Sequence, residues 1–224
     1  MPIRLASLDM AGTTVDEGGA VYTVLRESVE EATDRMVSDE LLSAWVGTSK
    51  LLAIRGLLRG LGEDEARAPE IFAGFADRLA AAYEADPPTL LPGVREAVDA
   101  LRGDGVAIGL QTGYTREVAE ALLQTVGWRV GDDVDALVTA DEVPVSRPAP
   151  YLVFGTMAAT GVQDVAEVVV AGDTANDLLA GSRSGARFVV GVLTGAHTVA
   201  ELGAARHTHL VASVADLPAL LAEA

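Results

Sequence analysis

Four short segments carry the side chains best suited to chemistry. Asp9-Met10-Ala11-Gly12-Thr13-Thr14-Val15 follows the first apolar run, and Gln111-Thr112-Gly113-Tyr114-Thr115 follows the second. Ser146-Arg147-Pro148-Ala149-Pro150-Tyr151 lies past the third, and Gly172-Asp173-Thr174-Ala175-Asn176-Asp177 follows the fourth. They supply carboxylates, hydroxyls and a guanidinium. Carboxylates with few other ligand types suit a hard cation such as Mg²⁺, which usually keeps waters and a phosphate in its shell. Threonine hydroxyls and backbone N–H groups at a helix start suit phosphate oxygens, and arginine offers fixed donors to the same oxygens. Each loop alone has a bland reading, because an Asp after a strand is often only a helix cap. Four such loops in this order point to one site that handles a phosphoryl group.

The elements that must position these loops are legible as apolar runs. Ile3 to Leu8, Val106 to Leu110, Ala136 to Thr139, Val168 to Ala171 and Phe188 to Val192 do not alternate with polar residues. That is the pattern of strands covered on both faces in a parallel sheet. Helical stretches separate them: Arg95 to Leu101, Thr115 to Val126, Pro148 to Thr160 and Ala175 to Ser184. The alternation predicts an α/β fold with a doubly wound, Rossmann-like parallel sheet. Ligands of such sheets bind beyond the carboxyl ends of the strands, which is where the four loops fall.

Residues 17–86 break the alternation. Tyr22 to Thr33, Ser38 to Val46, Ser49 to Leu61 and Pro69 to Tyr83 all read as helices, with no convincing strand. The segment is entered through Asp16-Glu17-Gly18-Gly19 and left through Asp86-Pro87-Pro88, and Gly and Pro pairs are punctuation. The expected organisation is a helical cap over 17–86 inserted after the first strand of a core formed by 1–16 and 87–224.

Composition narrows the function classes. The chain has 224 residues, a formal net charge of −17 and no cysteine. The missing cysteine excludes disulfides, zinc–thiolate sites and a thiol nucleophile. The acidic balance argues against nucleic acid and anionic membrane as partners. No run approaches the roughly 18 apolar residues of a membrane span, and the N-terminal residues do not resemble a signal peptide. A cytoplasmic protein is expected. The 16 basic residues are 15 Arg and a single Lys, Lys50. His197, His207 and His209 lie away from the four loops and read as structural or surface residues, and Trp45 and Trp128 as packing residues.

In their order, DMAGTT, LQTGYT, RPAPY and GDTANDLLAG resemble the four motifs of the haloacid dehalogenase superfamily, over essentially the whole chain. The resemblance implies that Asp9 is a nucleophile toward phosphorus. It implies Mg²⁺ held by Asp9, the Ala11 carbonyl and Asp173, with Asp177 orienting its water. Thr112 and Arg147 would hold phosphoryl oxygens, and Gly12, Thr13, Gly113 and Tyr114 would line the substrate. The departures from the common pattern carry more information. Most phosphatases of the superfamily have a second Asp two residues after the nucleophile, as general acid and base. Here that position is Ala11, and a methyl group cannot protonate a leaving alkoxide. The third-motif cation, usually Lys, is Arg147.

Both departures resemble phosphonoacetaldehyde hydrolase and its relatives, which cleave a carbon–phosphorus bond with help from a cap lysine that forms a Schiff base. The segment Val46-Gly47-Thr48-Ser49-Lys50-Leu51-Leu52-Ala53-Ile54-Arg55 is similar to their cap segment, and the only Lys of the chain falls on the required position. A guanidinium forms no imine, whereas an amine does. On an ideal helix Leu51, Ile54, Leu58 and Leu61 make one stripe with Lys50 at its edge. A helix N-terminus and partial burial there both lower the amine's pKa. Two family features are missing: a cap His is replaced by Ala53, and a Met by Val46. A sister group of phosphonatase-like hydrolases, with an unsettled substrate, is the nearer likeness. The expected activity is therefore Mg²⁺-dependent hydrolysis of a small 2-oxoalkylphosphonate. The rivals are a phosphomonoesterase of the same superfamily, a haloacid dehalogenase and a catalytically silent binder of a phosphorylated metabolite. Cap-mediated dimers occur in the resembled family, so a homodimer is the assembly expected by analogy.

Overall fold

The computed structural model describes residues 2–223. The first strand, β1 (Leu5–Asp9), is wholly buried and forms the middle of a six-stranded parallel sheet. A two-residue strand, β2 (Val15–Asp16), follows, and then four helices: α1 (Ala20–Thr33), α2 (Asp39–Ser43), α3 (Lys50–Leu61) and α4 (Ala68–Ala85). The chain returns through β3 (Thr89–Leu90), which pairs antiparallel with β2. The remainder alternates: α5 (Val94–Gly103), β4 (Ala107–Thr112), α6 (Arg116–Thr125), β5 (Ala136–Thr139), α7 (Tyr151–Thr160), β6 (Val168–Gly172), α8 (Ala175–Ser184), β7 (Phe188–Val192), α9 (Val199–Ala204), β8 (His209–Val211) and α10 (Leu217–Ala222).

The sheet order is β5-β4-β1-β6-β7-β8. The chain therefore builds outward from β1 first on one side and then on the other. The strand order reverses at β1, and that is where an open α/β sheet leaves a crevice at its carboxyl edge. The register brings the loops level: Asp9 pairs with Gln111, and Thr112 with Thr139. Leu8 pairs with Ala171, so β6 reaches the same edge as Gly172-Asp173. Continuous apolar strands make this possible, since Leu5, Ala6, Leu8, Val168, Val169 and Val170 are all buried between helical layers.

The five long strands and the main helices fall where the apolar runs place them. Three features differ. The β2–β3 ribbon, which ties the entry and exit of the helical insert together, is too short to carry a periodic signal. The sheet has a sixth strand, β8, with α9 and α10 beyond it. The helix expected over Ser38 to Val46 is only the five residues of α2, capped by the Ser38 hydroxyl, which accepts from the Leu41 N–H. Among the described residues, no helix is long and apolar enough to cross a membrane.

Candidate active site

Asp9 ends β1 and is 5% exposed. Its Oδ1 accepts a hydrogen bond from Nη2 of Arg147. Arg147 is itself buried, donates Nη1 to Asp177 Oδ1, and donates Nη2 also to the Gln111 carbonyl at 3.2 Å. The guanidinium is thus a planar clamp between two carboxylates, a geometry that an ammonium would not supply. Asp173 follows β6. Its Oδ2 accepts from the Ala196 N–H at 2.7 Å, and its Oδ1 accepts from the Thr13 hydroxyl at 3.3 Å. Asp177 lies in the first turn of α8, and its Oδ2 accepts from the Thr174 N–H at 3.1 Å and from the Thr174 hydroxyl.

Asp9, Asp173 and Asp177 each present an oxygen within 4.8 Å of the others. All three are buried, which is costly for like charges in a low-dielectric setting. Burial raises the Asp173 carboxyl well above the usual carboxylate range, and the charges of Asp9 and Asp177 add to the rise. Burial also raises Asp177, with Arg147 opposing. A cluster of oxygen donors holding excess negative charge is suited to a hard divalent cation, and the residues present fit Mg²⁺.

A cavity of about 20 Å³ opens above Asp9, lined by Ala11, Thr112, Gly113, Tyr114, Arg147, Asp173 and residues of the helical insert. It is large enough for a single water. Lys50 lines it from the opposite side, at the first position of α3. The buried face of α3 comprises Lys50, Ala53, Ile54, Leu57 and Leu58, whereas Leu51 and Leu61 are only partly buried. Lys50 therefore belongs to the buried face rather than to its edge. The stripe is rotated from the expected one because the insert packs on the core as well as on its own helices. The Lys50 ammonium lies 4.9 Å from the ring centre of Tyr22 and 5.3 Å from that of Tyr114. Its Nζ donates a long hydrogen bond, 3.4 Å, to the Thr48 carbonyl. Burial lowers its pKa to about 8, Arg147 also lowers it, and the attraction of Asp9, Glu17 and Asp173 opposes.

That shift carries a stability consequence. The unfolded chain holds this proton more tightly than the folded one, so a charged Lys50 weakens the fold at pH values below about 8. The penalty fades as pH rises toward 10.5, the unfolded value. Lys50→Met keeps the length and removes the charge. It is expected to stabilise the protein by about 2–3 kcal/mol at pH 7, and by much less at pH 10. Urea unfolding at the two pH values reads this out, and a variant less stable than wild type at pH 7 would show that the attraction of Asp9, Glu17 and Asp173 outweighs the cost of burying the ammonium.

The insert rests on the core through backbone approaches that only glycine allows. Gly47 has φ +79°, and a Cβ there would lie 2.2 Å from Thr174 Oγ1. A Cβ on Gly113 would lie 2.7 Å from the Thr48 carbonyl oxygen. Asn176 Nδ2 donates to the Val46 carbonyl at 2.6 Å, which completes the seam.

Of the residues read from sequence, Asp9, Ala11, Lys50, Thr112, Gly113, Tyr114, Arg147 and Asp173 share the one cavity. Thr112 Oγ1 also accepts from the Tyr114 N–H at 3.2 Å. Gly12 instead lines a neighbouring cavity of about 300 Å³ that contains Glu17, Thr194 and Gly195. Thr13 is fully buried, with its hydroxyl directed to Asp173. Asp177 lies behind Arg147 and Thr174, clustered with the other two carboxylates. Sequence reasoning did not name Tyr22, Thr48 or Thr174 as site residues, although all three line the cavity. A usable signal was the tyrosine distribution, since three of only four tyrosines, Tyr22, Tyr83 and Tyr114, gather here. The histidines stay outside: His197 Nδ1 accepts from the Ala175 N–H at 3.0 Å, and His209 packs on Phe188. Trp128 is buried in the core, and Trp45 packs against Gly56 of α3.

Comparison with known proteins places these features in a family. The model for haloacid dehalogenase-like hydrolases matches residues 3–185. A phosphonoacetaldehyde hydrolase-like protein of Syntrophobacter fumaroxidans is 33% identical over 87% of this chain and 74% of its own length. A phosphonoacetaldehyde hydrolase of Bacillus cytotoxicus is 32% identical over 91% of this chain and 79% of its own. The crystal structure of a phosphonoacetaldehyde hydrolase-like protein from Oleispira antarctica superimposes with a TM-score of 0.86 and 22% identity. That match covers 100% of this chain and 92% of the other, and it speaks for the fold.

Proposed function

The chain belongs to the haloacid dehalogenase-like hydrolases, and we propose that within that family it hydrolyses the carbon–phosphorus bond of a small 2-oxoalkylphosphonate, with 17–86 acting as a cap over the core. The observation that carries this reading is a buried primary amine, Lys50, on the same cavity as the Asp9 carboxylate.

A carbanion is a very poor leaving group, so direct attack on phosphorus does not suffice. Lys50 condenses with the carbonyl one carbon from the C–P bond and releases water, leaving a protonated imine. Asp9 attacks phosphorus, the C–P bond breaks, and its electron pair moves into the imine to give an enamine. The products of that step are an aspartyl phosphate on Asp9 and an enamine on Lys50. One water hydrolyses the acyl phosphate. The enamine takes a proton at carbon, and a second water frees Lys50 and the carbonyl product. Arg147 holds the Asp9 carboxylate in place and offsets its charge. Asp9, Asp173 and the Ala11 carbonyl would hold Mg²⁺, which supplies charge neutralisation at the phosphoryl oxygens. At about 20 Å³ the cavity has room for a water but not for a phosphonate, so the cap must open to admit substrate and close again before reaction.

The test is phosphate release from phosphonoacetaldehyde, 2-oxopropylphosphonate and a panel of phosphate esters, with and without Mg²⁺. Release from the carbonyl phosphonates, abolished by chelation, is the expected result. Release from esters alone would replace this reading with a phosphomonoesterase, and undiminished phosphate release after chelation would take the metal out of it. No phosphate from any of them, with halide released from a haloacid after chelation, would favour a dehalogenase.

Ala11 supplies a complementary prediction. It lines the cavity beside Asp9 and offers no acid for an alkoxide leaving group. Ala11→Asp is expected to raise ester hydrolysis by about 10²-fold, in line with the usual worth of general acid catalysis, and to lower C–P cleavage. A wild-type enzyme that already hydrolyses simple esters at ordinary rates would contradict the premise.

A further inference from the structure

A buried ammonium that attacks a carbonyl must first lose a proton, and the hydroxyl it creates must later gain one. Among the described residues, no side-chain base lies within hydrogen-bonding distance of Lys50 Nζ, whose hydrogen bond goes to the Thr48 carbonyl. One turn along α3 stands Ala53, a fully buried methyl. Asp9 is reserved for phosphorus. A chain of polar groups leads away from the amine on its other side. Tyr114 lines the water-sized cavity with Lys50. Its hydroxyl is 2.9 Å from that of Tyr83. The Tyr83 hydroxyl in turn donates to Glu17 Oε2 at 3.3 Å, and the same oxygen accepts from the Val21 N–H at 2.8 Å.

From this geometry we infer that Glu17, acting through the Tyr83 and Tyr114 hydroxyls, stores the proton that Lys50 sheds and returns it to the carbinolamine; the inference rests on the Lys50 reading above. The protons balance. Lys50 ammonium, 5.3 Å from the Tyr114 ring centre, gives a proton to a water in the cavity between them, and that water gives one of its own to the Tyr114 oxygen. Tyr114 gives its own to Tyr83, and Tyr83 gives its own to the Glu17 carboxylate. The neutral amine adds to the carbonyl, and the proton on nitrogen moves to oxygen to give a carbinolamine. The proton on Glu17 runs back along the same hydroxyls to that oxygen, water leaves, and the protonated imine remains. Glu17 is a positioning and proton-storing residue here, since it touches neither substrate nor amine. Its surroundings suit the task. Burial raises its carboxyl above the usual range, the neighbouring Asp16 at the end of β2 adds to the rise, and Val21, Lys50 and Tyr83 oppose. Glu17 also faces the cavity of about 300 Å³, which is wide enough to admit a small carboxylate from solvent.

The experiment is reductive trapping of 2-oxopropylphosphonate on Lys50 with cyanoborohydride, followed by mass spectrometry. Glu17→Gln keeps an acceptor for Val21 and Tyr83 but cannot take the proton. It is expected to slow trapping by about 10²-fold, and Tyr83→Phe by a similar factor. In Glu17→Ala, added formate is expected to restore part of the trapping rate, whereas it has no effect on Tyr83→Phe. A purely structural latch predicts a near-normal Glu17→Gln and no formate rescue. Trapping at the wild-type rate in Glu17→Gln, or a slow Glu17→Ala that formate does not rescue, overturns the inference and leaves the Lys50 reading standing. No adduct in the wild type overturns both.

Discussion

Borohydride added during turnover of a carbonyl phosphonate is expected to convert the imine to a stable secondary amine on Lys50 and to kill activity irreversibly. The composition makes the measurement unusually clean, because Lys50 is the only lysine and the N-terminus the only other amine. One mass measurement on a peptide digest therefore assigns the label. Lys50→Arg is the matching variant. It keeps the positive charge between the Tyr22 and Tyr114 rings but cannot condense with a carbonyl. Losing the electron sink should lower C–P cleavage on the order of 10⁴-fold or more, as loss of a covalent catalytic group does elsewhere. Inorganic phosphate and Mg²⁺ should still bind in the core. The pH dependence has a defined sign. Imine formation needs the neutral amine, and with a pKa of about 8 the rate of labelling should rise about tenfold from pH 7 to pH 9 and then level off. A label absent from Lys50, or an active Arg variant, would remove the carbon–phosphorus reading.

Asp9→Asn should be as damaging to turnover, for a different reason. The amide keeps the shape at the end of β1, and its oxygen still accepts from Arg147, but it is a far poorer nucleophile toward phosphorus. A loss on the order of 10⁴-fold or more is expected. The fold should survive with equal or greater stability in the absence of metal. Asp9 is one of three buried carboxylates, and its charge is one of the causes that raise Asp173. Neutralising it relieves repulsion, while Arg147 keeps its second partner, Asp177. Phosphate release and thermal unfolding measured together check both halves. Near-normal turnover would take Asp9 out of the nucleophile role, and an unfolded variant would show that the Asp9–Arg147 contact holds the core.

The sheet was legible because its strands are covered on both faces. Residues such as Val168–Gly172 must then be continuously apolar, and the polar residues that end such runs must fall at the carboxyl edge. Asp9, Thr112 and Asp173 could be read as a group for that reason, whereas Arg147, in the long loop after β5, joined them through the order of the loops and the third-motif resemblance. The helical insert was legible too, from its periodicity and its Gly and Pro borders, and Lys50 stood out as the only amine side chain in the chain. Short elements were not legible. The two-residue strands β2 and β3 contain no period, and β8 is a partly buried edge strand with a weak apolar signal.

Other features depended on how the insert packs against the core. Helical spacing places Lys50 on one side of α3, but whether that side is rim or interior depends on what lies across it. The answer, Tyr22 from α1 and Tyr114 from the loop after β4, comes from segments far apart in the chain. The Glu17–Tyr83–Tyr114 path is of the same kind, since it joins the entry of the insert, its last helix and the core. Local patterning determines which face of an element is apolar and where an element ends. Only tertiary packing determines which polar groups meet across that face, because their contact depends on close approaches, such as Gly47 to the Thr174 side chain and Gly113 to the Thr48 backbone, that no local pattern encodes.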